Sequence, residues 1–173
     1  MLMKYIIIDT NVPLKAANTH PKDDIDRNCS QSCFSFISTL MKSKDKIIVL
    51  DSGREILKEY EKNIDIHSER SVASEFLMWI YRNNLNGKIC LQEITKTGEN
   101  TYAEFPESPK LIGFDRSDRK FVALAKAHPS NPNIYNGSDT DWWDYREALE
   151  EEGIHIVFLS EEYMKAKSKG GKK

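Results

Sequence analysis

Apolar residues follow one another in the segments 4–8 (KYIII) and 46–50 (KIIVL), each opened by a lysine, both short and rich in β-branched side chains. Runs of this kind, without the polar alternation of a half-exposed strand, mark strands covered on both faces, as in a parallel sheet. Between them the pattern changes period. Cys29, Cys33, Phe36, Ile37, Leu40 and Met41 recur at three- and four-residue steps and draw one apolar stripe on a helix. After Leu50, "DSGREILKEYEKN" predicts a second helix, with Ser52 as N-cap and Glu55 three positions on completing a capping box. "SERSVASEFLMWIYRNN" predicts a third, capped by Ser68, with Val72, Phe76, Trp79 and Ile80 on its apolar face and a turn-forming cluster from Asn83 to Gly87 ending it. "KICLQEI" reads as a further strand and 95–113, punctuated by Gly98, Pro106, Pro109 and Gly113, as loop. A helix follows in "DRKFVALAKAH", stopped by Pro129; then come a short strand in "NIYNGSD", a helix in "WWDYREALEEEG" closed by Gly153, and a last strand in "IHIVFL". Strands alternating with helices imply an α/β fold, a parallel sheet of four or five strands flanked on both faces.

Length adds that 173 residues suit one domain, taken here as 1–160, followed by a basic C-terminal helix or tail at 161–173. The net charge of -2, from 25 basic and 27 acidic residues, supplies no global positive field, so a nucleic-acid partner must be gripped locally. Three cysteines at unpaired spacings, and no secretory pattern at the N-terminus, fit reduced thiols in a cytoplasmic protein. The apolar runs fall well short of the roughly 18 to 20 residues that cross a bilayer, so no membrane partner is expected.

The chemistry lies in the acids. The first apolar run ends abruptly on Asp9-Thr10-Asn11; Asp115 and Asp118 open the "FVALA" helix; Asp139 and Asp141 follow another predicted strand. In an open parallel sheet, ligands bind outside the carboxyl ends of the strands, and Asp9 and Asp139 lie just past such ends. Singly, each has an ordinary explanation: Asp and Asn favour turns, and acids at helix starts meet the macrodipole. Gathered in one cleft they repel, by about 4 kcal/mol for two charges about 4 Å apart at an effective dielectric near 20. Hard oxygen ligands in that number suit Mg²⁺ or Mn²⁺, and the implied chemistry is metal-assisted phosphodiester hydrolysis.

Taken in order, "YIIIDTN", "EILKEYE", "DRSDRKFVALA" and "YNGSDTDWW" resemble the motifs of PIN-domain nucleases over residues 4 to about 159. The resemblance implies a three-layer α/β/α fold, a Mg²⁺ or Mn²⁺ site and endoribonuclease activity on single-stranded RNA, with DNA as a further candidate. Carried over by position, Asp9 matches the acid ending the first strand and Asn11 the polar partner that orients it. Glu59 in "ILKEY" matches the helix glutamate, with Glu55 one turn earlier as its competitor. Asp118 matches the acid opening the fourth motif's helix, Asp115 an accessory position, and Asp139 and Asp141 the final acidic pair. Asp9, Asp118 and Asp139 would hold one metal; Glu59 and Asp141 would set a second metal or its waters. Departures from the pattern are the polar segment "NTHPKDDIDRN" and the 95–113 loop. Arg116, Arg119 and Trp142 are candidate nucleic-acid contacts, with at most one of Trp142 and Trp143 able to reach a substrate because neighbouring helical residues point about 100° apart. Lys15, Arg54 and Lys120 are weaker phosphate candidates.

Three functions compete: a toxin or defence ribonuclease, with an antitoxin or other protein partner and a homodimer as associated expectations; a nuclease-like fold kept as an RNA-binding or assembly module; and an aspartate-dependent phosphatase. The last wants a second Asp two positions after the first, where this chain has Asn11.

Overall fold

A computed structural model describes residues 2–69 and 71–168. Its strands are β1 (Lys4–Ile8), β2 (Lys46–Asp51), β3 (Ile89–Gln92), β4 (Lys96–Gly98), β5 (Thr101–Tyr102), β6 (Asn133–Asn136) and β7 (Ile156–Phe158). Its helices are α1 (Asn11–Ala16), α2 (Asp24–Lys42), α3 (Glu55–Asn63), α4 (Val72–Asn83), α5 (Arg119–Ala127), α6 (Thr140–Asp144), α7 (Arg146–Glu151) and α8 (Glu161–Lys167). Five strands form one parallel sheet in the order β3-β2-β1-β6-β7, flanked by helices as the apolar runs require. Ile6, Ile7 and Ile8 of β1 are buried, with Ile6 in register with Ile48 on one side and Ile7 with Ile134 on the other. On one face α2 packs against α4, where the Trp79 indole donates to the Met41 carbonyl at 3.1 Å; α5 packs across β2 and β6. Among the described residues no helix is long and apolar enough to cross a membrane.

The strand order reverses beside β1: the chain moves outward from β1 to β2 and β3, then returns to place β6 on the other side. That arrangement opens a crevice beyond the carboxyl ends of β1 and β6.

Several local expectations change. A short helix, α1, directly follows the first strand, with Pro13 in its first turn where a missing N–H is no loss, and the polar segment after it holds the start of α2, which Asp23 caps through the Asp26 N–H. The α2 stripe begins at buried Asp26, a charged side chain at an inward position, paired there with Lys15 of α1. Neither Ser52 nor Ser68 caps a helix. Asp51 takes the Glu55 and Ile56 N–H groups at 2.7 and 2.8 Å, so α3 starts at Glu55 and the capping box is absent; α4 starts after Ser71. The 95–113 segment contains the β4–β5 hairpin, whose β4 residues are all exposed and so show no apolar alternation. The helix expected over "WWDYREALEEEG" is two, broken at Tyr145, whose ring packs edge-on against Phe114. At the C-terminal end α8 docks on α2 with Met164 buried and Lys167 paired to Asp23; residues 169–173 of the basic tail lie outside the described residues.

Candidate metal centre at the carboxyl end of the sheet

Asp9 is placed by the sheet itself. Its N–H donates to the Tyr135 carbonyl at 3.0 Å, carrying the β1–β6 ladder one residue further and delivering the carboxylate into the crevice. One oxygen, Oδ1, accepts the Asn11 N–H at 2.9 Å; the other, Oδ2, is buried with no hydrogen-bond partner. Asp118 arrives from the opposite face, on the 3₁₀ turn Arg116–Asp118 that runs into α5. It occupies the N-cap position of α5 but its side chain makes no capping bond, so the macrodipole alone does not account for where it points. Asp139 follows β6 and caps α6, accepting the Asp141 N–H on Oδ1 at 2.9 Å. One oxygen from each of Asp9, Asp118 and Asp139 lies within 4.8 Å of the others.

Burial and mutual repulsion act on all three. Asp9 is 3% and Asp118 7% exposed. Burial pushes the Asp9 carboxyl up to about 8, against the opposing Asn11 N–H bond, with the Asp139 and Glu59 charges adding to the rise. Burial, then the charges of Asp9, Asp139 and Asp115, pushes Asp118 up to about 9. Asp139 is raised too, first by burial and then by Asp141 and Asp115, with the Asp141 N–H opposing.

Asn11 clamps the two loops together. Its Oδ1 accepts the N–H groups of Gly137 at 2.7 Å and Ser138 at 3.0 Å, so the β1 loop fixes the segment leading into Asp139. Gly137 is needed for that approach: a Cβ there would lie 2.8 Å from Cys33 Sγ and 3.1 Å from Asn11 Oδ1.

Between the two candidate glutamates the structure distinguishes clearly. Glu59 stands against the cluster, with Oε1 accepting the Thr10 hydroxyl at 2.5 Å and Oε2 paired with Lys120. Glu55 turns to Lys96 at 2.8 Å and Lys58 at 3.6 Å. Asp141 and Asp115 lie at the rim: Asp141 Oδ2 accepts the Asp115 N–H at 3.3 Å, while Asp115 Oδ1 caps the 3₁₀ turn through Ser117. No model of a known protein family, no curated protein and no solved structure matches this chain.

Two members of the site were not anticipated. Thr10 is buried and bonded to Glu59; its only sequence signal is adjacency to Asp9. Lys120, a candidate for phosphate contact at the surface, is instead 5% exposed and paired inside the site. Trp142 requires correction: it is wholly buried, edge-on to Phe114 and Phe121, and cannot stack on a base. Its neighbour Trp143 is half-buried and packs edge-on against Phe158 with the Arg146 guanidinium over its ring. Arg119 donates to the carbonyls of Ile112 and Phe114 and stacks on Phe105 at 4.6 Å, which ties it to the 105–114 loop. Arg116 is exposed on the turn that carries Asp118. Lys15 is held by Asp26 and Arg54 by Glu61.

The donor set consists of hard carboxylate oxygens, one of them an unpartnered buried atom, crowded enough to resist full ionisation. Such a set could hold a metal ion through Asp9, Asp118 and Asp139.

Proposed function

We propose that the chain is a Mg²⁺- or Mn²⁺-dependent endoribonuclease of the PIN-domain type, hydrolysing phosphodiester bonds in single-stranded RNA. The observation that carries this reading is the convergence of Asp9, Asp118 and Asp139 at the strand-order reversal, with Asp9 Oδ2 buried and unpartnered. When bound, the ion supplies Lewis acidity toward water and toward a phosphate oxygen. Everything else is the chain's own work. Asp9, Asp118 and Asp139 hold the ion, the Asn11 N–H fixes the rotation of the Asp9 carboxylate, and the Asn11 side chain fixes the loop before Asp139. Arg116, exposed beside Asp118, offers a positive charge to the RNA backbone.

The same geometry weighs against an aspartate-dependent phosphatase. The position two residues after Asp9 is an amide whose oxygen already accepts two backbone N–H groups, leaving no acid there to protonate a leaving group. Within the nuclease reading, the chain acts as a toxin or defence effector restrained by a partner protein.

Incubation with end-labelled single-stranded RNA and, separately, a phosphomonoester, each with Mn²⁺ or EDTA, tests the assignment. Cleavage of the RNA alone, abolished by EDTA, is the expected result. A gel shift without cleavage indicates a binding module, and turnover of the monoester alone indicates a phosphatase. Growth arrest on expression, relieved by Asp118→Asn, tests the toxin role.

A further inference from the structure

The four carboxylates of the crevice are not equivalent. Asp9, Asp118 and Asp139 face one another, whereas Glu59 stands beside them with both oxygens engaged, one by the Thr10 hydroxyl and one by the Lys120 ammonium. Lysine is seldom buried without a counter-charge, and Lys120 is 5% exposed, donates also to the Ser117 carbonyl, and lies close enough to lower the cost of charging Asp9. The other acids nearby stand at the rim, outside the three that face one another: Asp141 Oδ2 accepts the Asp115 N–H at 3.3 Å, and Asp115 Oδ1 accepts both donors of Ser117.

A pair of catalytic divalent ions sits about 3.5 to 4 Å apart and needs carboxylates for each. Here three carboxylates are available to one ion, and the fourth is neutralised by a cation already part of the chain. A second dication placed at Glu59 would have to displace the buried Lys120 ammonium from its partner or stand against its charge. We propose that Lys120 is the built-in counter-cation of Glu59, so that the acidic site binds one divalent ion, through Asp9, Asp118 and Asp139, and not two. This rests on the metal-site reading above, and it makes Lys120 a positioning residue, acting through Glu59 and Thr10.

Stoichiometry decides it without any measurement of cleavage. Mn²⁺ is titrated into the full chain in the absence of RNA, followed by calorimetry and by the electron paramagnetic resonance of free Mn²⁺. The wild-type chain is expected to take up one ion, and Lys120→Gln, which releases Glu59, two, the second more weakly. Removing Lys120 alone leaves a half-buried acid without its cation, so the paired variant Glu59→Gln/Lys120→Gln, which keeps the net charge, provides a second arm. It is expected to bind one ion with a Kd within about tenfold of wild type, the lower end of what losing a supporting residue costs. Two ions in the wild type, one ion in folded Lys120→Gln, or loss of binding in the paired variant would each overturn the assignment. No ion in the wild type overturns the metal site itself, a separate and recognisable result.

Discussion

Asp9 divides its two oxygens between structure and chemistry: Oδ1 is held by the Asn11 N–H, and Oδ2 is left buried and open. Asp118 has no such structural bond, since its side chain caps nothing. Replacing it with Asn should therefore remove function with little damage to the fold: Mn²⁺-dependent RNA cleavage is expected to fall at least about 100-fold, about 2.7 kcal/mol of barrier, with an unchanged far-ultraviolet circular dichroism spectrum. Retained cleavage in that variant would exclude Asp118 from the site. Asn11 is the converse case. Asn11→Ala strips the partner from two N–H groups of the 137–138 loop, and urea unfolding is expected to show a loss of about 1 to 3 kcal/mol, accompanied by weaker Mn²⁺ binding because Asp139 is no longer held. Asp9, Asp118 and Asp139 are legible in the sequence because each ends or opens an apolar segment. Thr10 and Lys120 are not, because what defines their roles is a contact with Glu59, 49 positions from Thr10 in the chain. Trp142 misleads for a related reason: both members of a Trp-Trp pair look alike in sequence, and only the packing of Phe114 and Phe121 decides which one turns inward.

The element that sets Glu59 in place is α3, and its start depends on one buried acid. Asp51, the last residue of β2, accepts the N–H groups of both Glu55 and Ile56 after the chain turns through Arg54 at φ 65°. Asp51→Ala should cost about 1 to 2 kcal/mol in chemical denaturation, as expected for loss of an N-cap, and should raise hydrogen exchange at the Glu55 and Ile56 amides selectively. Unchanged protection there would mean that packing of Ile56 and Tyr60 alone fixes the helix. Ser52 was the more obvious cap because the capping-box spacing to Glu55 is met in sequence, yet a strand-end aspartate reaches the same donors. The sheet, by contrast, is readable throughout: the segments read as strands became five parallel strands, most plainly β1 and β2, whose apolar residues follow one another because both faces are covered. What escaped were the first turn of α2, where Asp26 opposite Lys15 puts charge at an inward position, and β4, which has no apolar residue at all.

For the molecule as a whole, the site is a source of instability that the fold tolerates at the mouth of its sheet. Carboxyls whose folded pKa exceeds the ordinary aspartate value of 3.8 hold protons that the unfolded chain has released, so between those limits stability falls as pH rises. The lowered carboxylates, such as Asp26 held by Lys15, act in the opposite sense, but their titration is complete below about pH 5. Buried His128, lowered from 6.5, also favours the folded state as pH rises, and its influence ends near that value. The thiols of Cys29, Cys33 and Cys90, shifted from an ordinary value of 9.0, enter above about pH 8, so between about pH 7 and pH 8 the acid cluster, with Asp9 near 8 and Asp118 near 9, is left as the main contributor. In EDTA the unfolding free energy is expected to decline across this window, by about 1.4 kcal/mol per pH unit for each proton the native cluster retains. On the proposed metal-site reading, saturating Mn²⁺ would displace those protons and bind only the folded chain, so the decline should vanish or reverse, and Asp118→Asn should flatten it without metal. Urea titrations at four pH values, with and without the ion, provide the check. A flat profile in EDTA would mean that the three carboxylates are solvated and independent, and a slope unaffected by Mn²⁺ would mean that the ion does not enter among them.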